Sequence, residues 1–154
     1  MTKTILTAFL LAATIGLNAQ HGGGVSLSTE NGYSPKEKRV VNTLNFGGVY
    51  SFENRLFLSA NGGAFIDSKL RPFVGAELLY KTEKGKNSPA IGAQFKYNGS
   101  IIYGIKFGAF FNSRYLLAAQ MDYNQRHKSL IFSLNLGLII TKNAISPKHR
   151  SNPK

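Results

Sequence analysis

The chain of 154 residues has the size of one compact domain, and its lack of cysteine excludes a fold held together by disulfide bonds. Its formal net charge of +12 favours anionic partners. Because the first residues indicate export from the cytosol, the expected anions are lipid phosphates and acidic glycolipids, and nucleic acid is not expected as a partner.

The first residues follow the pattern of a secretory signal peptide. Lys3 stands near the start, an apolar run covers Ile5–Leu17, and the small residue Ala19 follows it. The run is shorter than the roughly 20 residues that a helix needs to span a bilayer. We therefore expect a signal peptide over residues 1–19 that is cleaved after Ala19.

The rest of the chain divides into a patterned region, residues 20–141, and a basic tail, residues 142–154, which has no periodicity and is expected to be disordered. The patterned region begins with a short candidate strand, Val25–Thr29, and a charged, proline-containing segment, Glu30–Arg39, that is typical of a loop. It continues with seven segments that alternate apolar and polar residues, as β-strands do. They are Asn42–Phe52, Arg55–Asp67, Leu70–Lys81, Pro89–Tyr97, Ser100–Phe111, Arg114–Tyr123 and Ser129–Thr141.

The segment Ser100–Phe111 shows how the two faces of these strands differ. One row is continuously apolar, and the other mixes glycine, one charge and two large apolar groups. The apolar row is Ile101, Tyr103, Ile105, Phe107, Ala109 and Phe111, and the mixed row is Ile102, Gly104, Lys106, Gly108 and Phe110. Asn98-Gly99 before this strand is a strong hairpin signal.

The corresponding apolar row of all seven strands carries no charged residue between Leu44 and Ile140. A soluble barrel would bury this row and present a face dense in charged and hydroxyl groups to water. The opposite row instead is rich in glycine, which suits the crowded interior of a barrel of about eight strands. The pattern predicts an all-β, eight-stranded, antiparallel up-and-down transmembrane β-barrel with the bulky row toward lipid.

Three features point to one class of proteins: the signal-peptide pattern, this strand alternation, and turns such as Glu53-Asn54 and Asn98-Gly99. In these features residues 22–141 resemble the small outer-membrane β-barrels of the OmpA and OmpX type. The resemblance implies a location in the outer membrane of a Gram-negative-type envelope. Members of this class commonly end on an aromatic residue, whereas the last strand here ends Ile139-Ile140-Thr141 and a basic tail follows. The segment Thr82–Ser88 also falls where the class has a short inner turn.

Hairpin registers through the predicted turns bring polar side chains of the inner row together. Lys106 is expected beside Gln120, and Glu77 opposite Gln94. The expected luminal polar cluster is Glu77, Gln94, Lys96, Lys106, Gln120 and Asp122. We expect the opposite charges of this cluster to neutralise one another inside a filled lumen. The alternative is that these residues form a ligand or ion site.

The expected function is a non-enzymatic, structural or envelope-interaction role through basic loops. The loop residues expected to contact acidic glycolipid, outer-membrane lipid or other envelope proteins are Lys36, Lys38, Arg39, Arg126, His127 and Lys128. No metal-ligand spacing or cofactor motif is present, so no metal or cofactor is expected. Two alternatives stay open: a lipid-modifying enzyme that uses His127 beside Ser129, and a soluble periplasmic barrel that binds an apolar ligand between its walls.

Overall fold

The computed structural model describes residues 23–53, 55–67 and 70–141, which form eight strands in chain order. The strands are β1 (Gly23–Ser34), β2 (Arg39–Phe52), β3 (Leu56–Ile66), β4 (Leu70–Lys81), β5 (Ser88–Tyr97), β6 (Ile101–Phe111), β7 (Tyr115–Asn124) and β8 (Ser129–Thr141). The predicted signal peptide and basic tail lie outside the described residues. Among the described residues, no helix is long and apolar enough to cross a membrane.

Each strand pairs antiparallel with the next, and β1 also pairs with β8, so the sheet closes into a barrel. Closure removes the free edges at which an open sheet could pair with another chain. The predicted eight-stranded up-and-down barrel is confirmed, and β4 and β8 have the predicted bounds.

The first hairpin differs from the prediction. β1 continues to Ser34 and β2 begins at Arg39, so most of the predicted loop Glu30–Arg39 is strand. The alternation continues through it, because Asn31 and Tyr33 are exposed while Glu30 is buried inside. The charges of this segment suggested a loop, but in the closed barrel the charge of Glu30 is compensated by side chains from other strands.

We call the end of the barrel where the described chain begins proximal, and the opposite end distal. The proximal end contains the start of β1, the end of β8 and the β2–β3, β4–β5 and β6–β7 connections, and the distal end contains the other four connections. The β4–β5 connection, residues 82–87, lies at the proximal end, as its place in the strand order predicts.

The bulky apolar row faces outward. Phe107 is 54% exposed and Leu134 is 60% exposed, whereas Phe110, from the mixed row, is fully buried inside the barrel. A soluble barrel with an apolar ligand would need the bulky row to line its cavity, and the observed direction is the opposite. An outer surface of this kind is stable only in an apolar solvent, which is the arrangement of a transmembrane barrel.

Aromatic side chains lie on this outer surface near both ends. Tyr50 and Phe52 meet edge to face at the proximal end, with ring centroids 4.5 Å apart. Toward the distal end the rings of Tyr103 and Tyr123 are 5.6 Å apart. Amphipathic rings at both ends of an apolar band are typical of the two interfaces of a bilayer.

A lysine placed on the outer surface tests this orientation. Ile105 lies at the middle of β6, so Ile105→Lys should lower the free energy of unfolding by about 2 to 4 kcal/mol, because an ammonium group would enter the bilayer midplane. The matched control, Leu70→Lys at the distal start of β4, should cost only about 0 to 1 kcal/mol. Urea unfolding in lipid vesicles measures both, and equal costs at the two positions would contradict the orientation.

Candidate functional site

The structure places all six residues of the predicted luminal cluster on the inner row. Lys106 lies opposite Gln120, and Glu77 lies opposite Gln94, as the hairpin registers predict. Lys106 Nζ donates to Glu77 Oε1 at 2.7 Å, reaching from β6 across β5 to β4. The cluster is therefore a continuous polar layer in the middle of the barrel.

Glu30 lies at the centre of this layer and is absent from the predicted cluster. Its carboxylate forms an ion pair with Lys96 and lies 3.9 Å from Lys106 Nζ. It also accepts hydrogen bonds from the side-chain amides of Asn45 at 3.0 Å and Gln120 at 3.1 Å. Only 3% of Glu30 is exposed, so these donors replace the water that the carboxylate loses.

A second carboxylate, Asp122, is held by amide groups on both sides. Gln94 Nε2 donates to its two oxygens at 2.7 and 2.9 Å, and Gln120 Nε2 donates at 2.5 Å. Gly104 of β6 lies between Asp122 and Gln94 in the registers, and a Cβ atom at this glycine would be 1.9 Å from Asp122 Oδ1. The missing side chain lets Asp122 cross over β6 to reach β5.

Two apolar layers close the lumen above and below the polar layer. The distal layer consists of Val41, Phe65, Phe73, Ile102 and Ile131. The proximal layer consists of Val49, Phe57, Leu79, Ala90, Phe110, Leu116, Ala118 and Ile139. Ring pairs occur in both, with centroids 4.9 Å apart for Phe65 and Phe73 and 5.1 Å apart for Phe57 and Phe110.

Two buried lysines lie close to these rings, Lys96 from the polar layer and Lys81 from the proximal mouth. Lys96 Nζ lies 5.4 Å from the ring centroid of Phe73, and Lys81 Nζ lies 5.4 Å from that of Phe110. A cavity of about 20 Å³ beside Glu77 and Asn135 has room for about one water molecule. The described part of the lumen is filled by side chains along its length.

At the distal end, part of the predicted basic loop set is used in internal contacts. Lys36 Nζ donates to the backbone oxygens of His127 and Lys128 at 3.0 and 3.2 Å, which ties the β1–β2 tip to the β7–β8 tip. Arg39 pairs with Glu37 and with Asp67, and Asp67 also pairs with Arg71. These contacts join the β1–β2 tip to the β3–β4 and β7–β8 tips at the distal mouth.

The other predicted basic residues, Lys38, Arg126, His127 and Lys128, lie on exposed tips. The predicted pairing of His127 with Ser129 is not formed, because the Ser129 hydroxyl is buried and donates to Glu37 Oε1 at 2.6 Å. A nucleophile and its base must lie within hydrogen-bond reach, and this serine is directed to a carboxylate on another tip.

No protein-family model and no curated protein matches the chain. Among solved structures, a de novo designed transmembrane β-barrel aligns with a TM-score of 0.53 and 18% identity, covering 79% of this chain and 98% of that chain. The chain has the fold of a small transmembrane β-barrel. The N-terminal β-barrel domain of Pseudomonas aeruginosa OprF aligns with a TM-score of 0.52 and 11% identity, covering 79% of this chain and 100% of that chain. Neisserial surface protein A aligns with a TM-score of 0.56 and 14% identity, covering 77% of this chain and 94% of that chain. The resemblance to small outer-membrane barrels is thus confirmed at the level of the fold.

Removing the central carboxylate of the barrel should be costly. Glu30→Gln keeps the shape of the side chain but leaves Lys96 buried without its anion, so we expect a loss of about 3 to 5 kcal/mol in the free energy of unfolding. The double variant with Lys96→Met should recover part of that loss. Urea unfolding in vesicles gives the values, and a Glu30→Gln variant as stable as the natural chain would show that the pair is not needed.

The contact across β6 predicts a difference between two glycines. Gly104→Ala should cost about 1 to 3 kcal/mol, because the added methyl group displaces Asp122 from Gln94. Gly62→Ala is the control, since a Cβ atom there meets nothing within 4 Å and the expected change is within about 0.5 kcal/mol. Unfolding of the two variants under identical conditions measures the difference, and similar costs would argue against the crossing contact.

Proposed function

We propose that the chain is a non-enzymatic β-barrel of the outer membrane in a Gram-negative-type envelope. Its proposed role is structural, with a basic distal rim that contacts acidic glycolipid, outer-membrane lipid or other envelope proteins. Residues 1–19 are proposed as the cleaved signal that directs export, and residues 142–154 as a disordered basic tail. No cofactor or metal is part of the proposal.

The observation that carries this proposal is the filled lumen. The buried ion pair of Glu30 and Lys96 lies between two layers of apolar side chains, so an ion crossing the barrel would have to displace both. A barrel of about eight strands has an interior that side chains just fill. The structure therefore supports a role for the surface of the barrel and not for a channel through it.

The distal tips supply the surface for the proposed contacts. Arg126, His127 and Lys128 follow one another on the β7–β8 tip, and Lys38 lies on the β1–β2 tip. Cationic side chains that end just beyond an apolar band lie at the depth of lipid headgroups, where they attract phosphate groups. The aromatic residues near the distal end mark that depth on the barrel surface.

The alternative of a lipid-modifying enzyme has weaker support. It requires His127 to activate Ser129, whereas the Ser129 hydroxyl donates to Glu37 and only 2% of the residue is exposed. Replacing His127 with Ala and comparing envelope lipids by mass spectrometry distinguishes the two proposals. Unchanged lipids support the non-enzymatic role, and loss of one lipid modification supports the enzyme.

Cell fractionation combined with gel migration tests the membrane placement. The mature chain should be recovered with the outer membrane, and the detergent-folded barrel should migrate differently before and after boiling, since boiling opens the closed sheet. Recovery in the soluble fraction without detergent, together with unchanged migration, would contradict the proposal.

The filled lumen also predicts that the barrel does not conduct ions. Reconstituted into planar bilayers, the natural chain should give no steady conductance steps, because polar and apolar side chains close the whole path. A larger porin under the same conditions is the positive control. Regular openings that depend on the amount of barrel inserted would show that the lumen conducts.

A further inference from the structure

A groove on the distal rim lies between three hairpin tips and is lined by cationic, polar and apolar residues together. Its volume is about 390 Å³, and it is lined by residues of the β3–β4, β5–β6 and β7–β8 hairpins. The residues are Leu70, Arg71, Pro72, Asn98, Ser100, Asn124, Arg126 and His127. We propose that this groove binds the phosphate headgroup of a membrane lipid.

The polar part of the groove fits an anion. Arg126 and His127 line it from the β7–β8 tip, and Asn98 and Ser100 add hydrogen-bonding groups from the β5–β6 tip. Arg71 lines it from the β3–β4 tip and is ion-paired with Asp67. Arginine presents a planar set of N–H donors that matches the oxygens of a phosphate group. No carboxylate lines the groove, and Asp67, the acidic residue next to it, pairs with Arg39 and Arg71.

The backbone at Arg126 is held by hydrogen bonds, which fixes the point from which its side chain extends. The Arg126 N–H donates to Ser100 Oγ at 3.3 Å and to Asn124 Oδ1 at 3.1 Å, and Ser100 Oγ itself donates to Asn124 Oδ1 at 3.1 Å. The β5–β6 and β7–β8 tips are thereby joined by residues that line the groove. A preorganised site loses less conformational entropy when a ligand binds.

The apolar wall of the groove identifies the source of the phosphate as a lipid and not a free ion. Leu70 and Pro72 belong to the outward row of β4, and Leu70 is 72% exposed. An acyl chain that lies along this row places its headgroup beside Arg126 and His127. This inference deepens the proposed function, because it names the lipid contact and rests on the membrane placement of the barrel.

Native mass spectrometry of the detergent-folded barrel with phosphatidic acid tests the site. The natural chain should retain one lipid, and Arg126→Ala should weaken its binding by about tenfold or more, since a charge-assisted hydrogen bond is lost. The matched control is Arg114→Ala, which removes an exposed arginine from the β6–β7 turn at the proximal end, outside the groove, and should change binding less than about twofold. Each variant is first shown to be folded by its heat-dependent migration.

Three results would overturn the proposal. Equal losses for Arg126→Ala and Arg114→Ala would show diffuse attraction to cations at both ends of the barrel. Inorganic phosphate that competes with phosphatidic acid at equal concentration would assign the groove to a free ion, and Leu70→Asn with undiminished lipid binding would remove the acyl contact. Because these measurements use the folded barrel in detergent, they report on the groove even if fractionation contradicts the proposed location.

Discussion

The rest of the structure depends on the pairing of Glu30 with Lys96 inside the closed barrel. A lysine in a filled lumen cannot reach bulk water, so it needs an anion and that anion needs further donors. Glu30 supplies the charge, and Asn45, Gln120 and the nearby Lys106 Nζ complete its surroundings. Since Glu30 lies on β1 and Lys96 on β5, the pair joins opposite sides of the barrel through its interior.

This internal pairing explains why the outward row of the strands can be free of charged residues. The charged residues in the middle of the strands lie inside, where they compensate one another, and many of the other cations lie at the ends, where lipid headgroups and water can solvate them. Outside, the bulky row meets lipid, and the closed ladder satisfies the backbone hydrogen bonds that lipid cannot. The two apolar layers then separate the polar layer from both mouths, so the same arrangement that stabilises the barrel also closes it.

Much of the fold was predictable from the sequence because strand alternation is a local signal. β4 and β8 have their predicted bounds, and the register that sets Lys106 opposite Gln120 follows from a single tight hairpin. Glu30 was not predictable in the same way, since its partner Lys96 is 66 residues away and the pair forms only when β1 closes the barrel against β8. The continued alternation through Asn31 and Tyr33 was the signal that could have extended β1. The distal groove was also beyond prediction, because three separate hairpins form it.

The central claim is that the bulky row faces lipid, and spin labels on β6 test it most directly. The chain has no cysteine, so single cysteines at Tyr103 and Ile105 on the outward row, and at Lys38 on an exposed tip, can each carry one label without background. In vesicles, labels at 103 and 105 should be relaxed by oxygen, which concentrates in the bilayer, and not by a water-soluble nickel complex, while the label at 38 should be relaxed by the nickel complex. Relaxation of the labels at 103 and 105 by the nickel complex would place the bulky row in water and contradict the account.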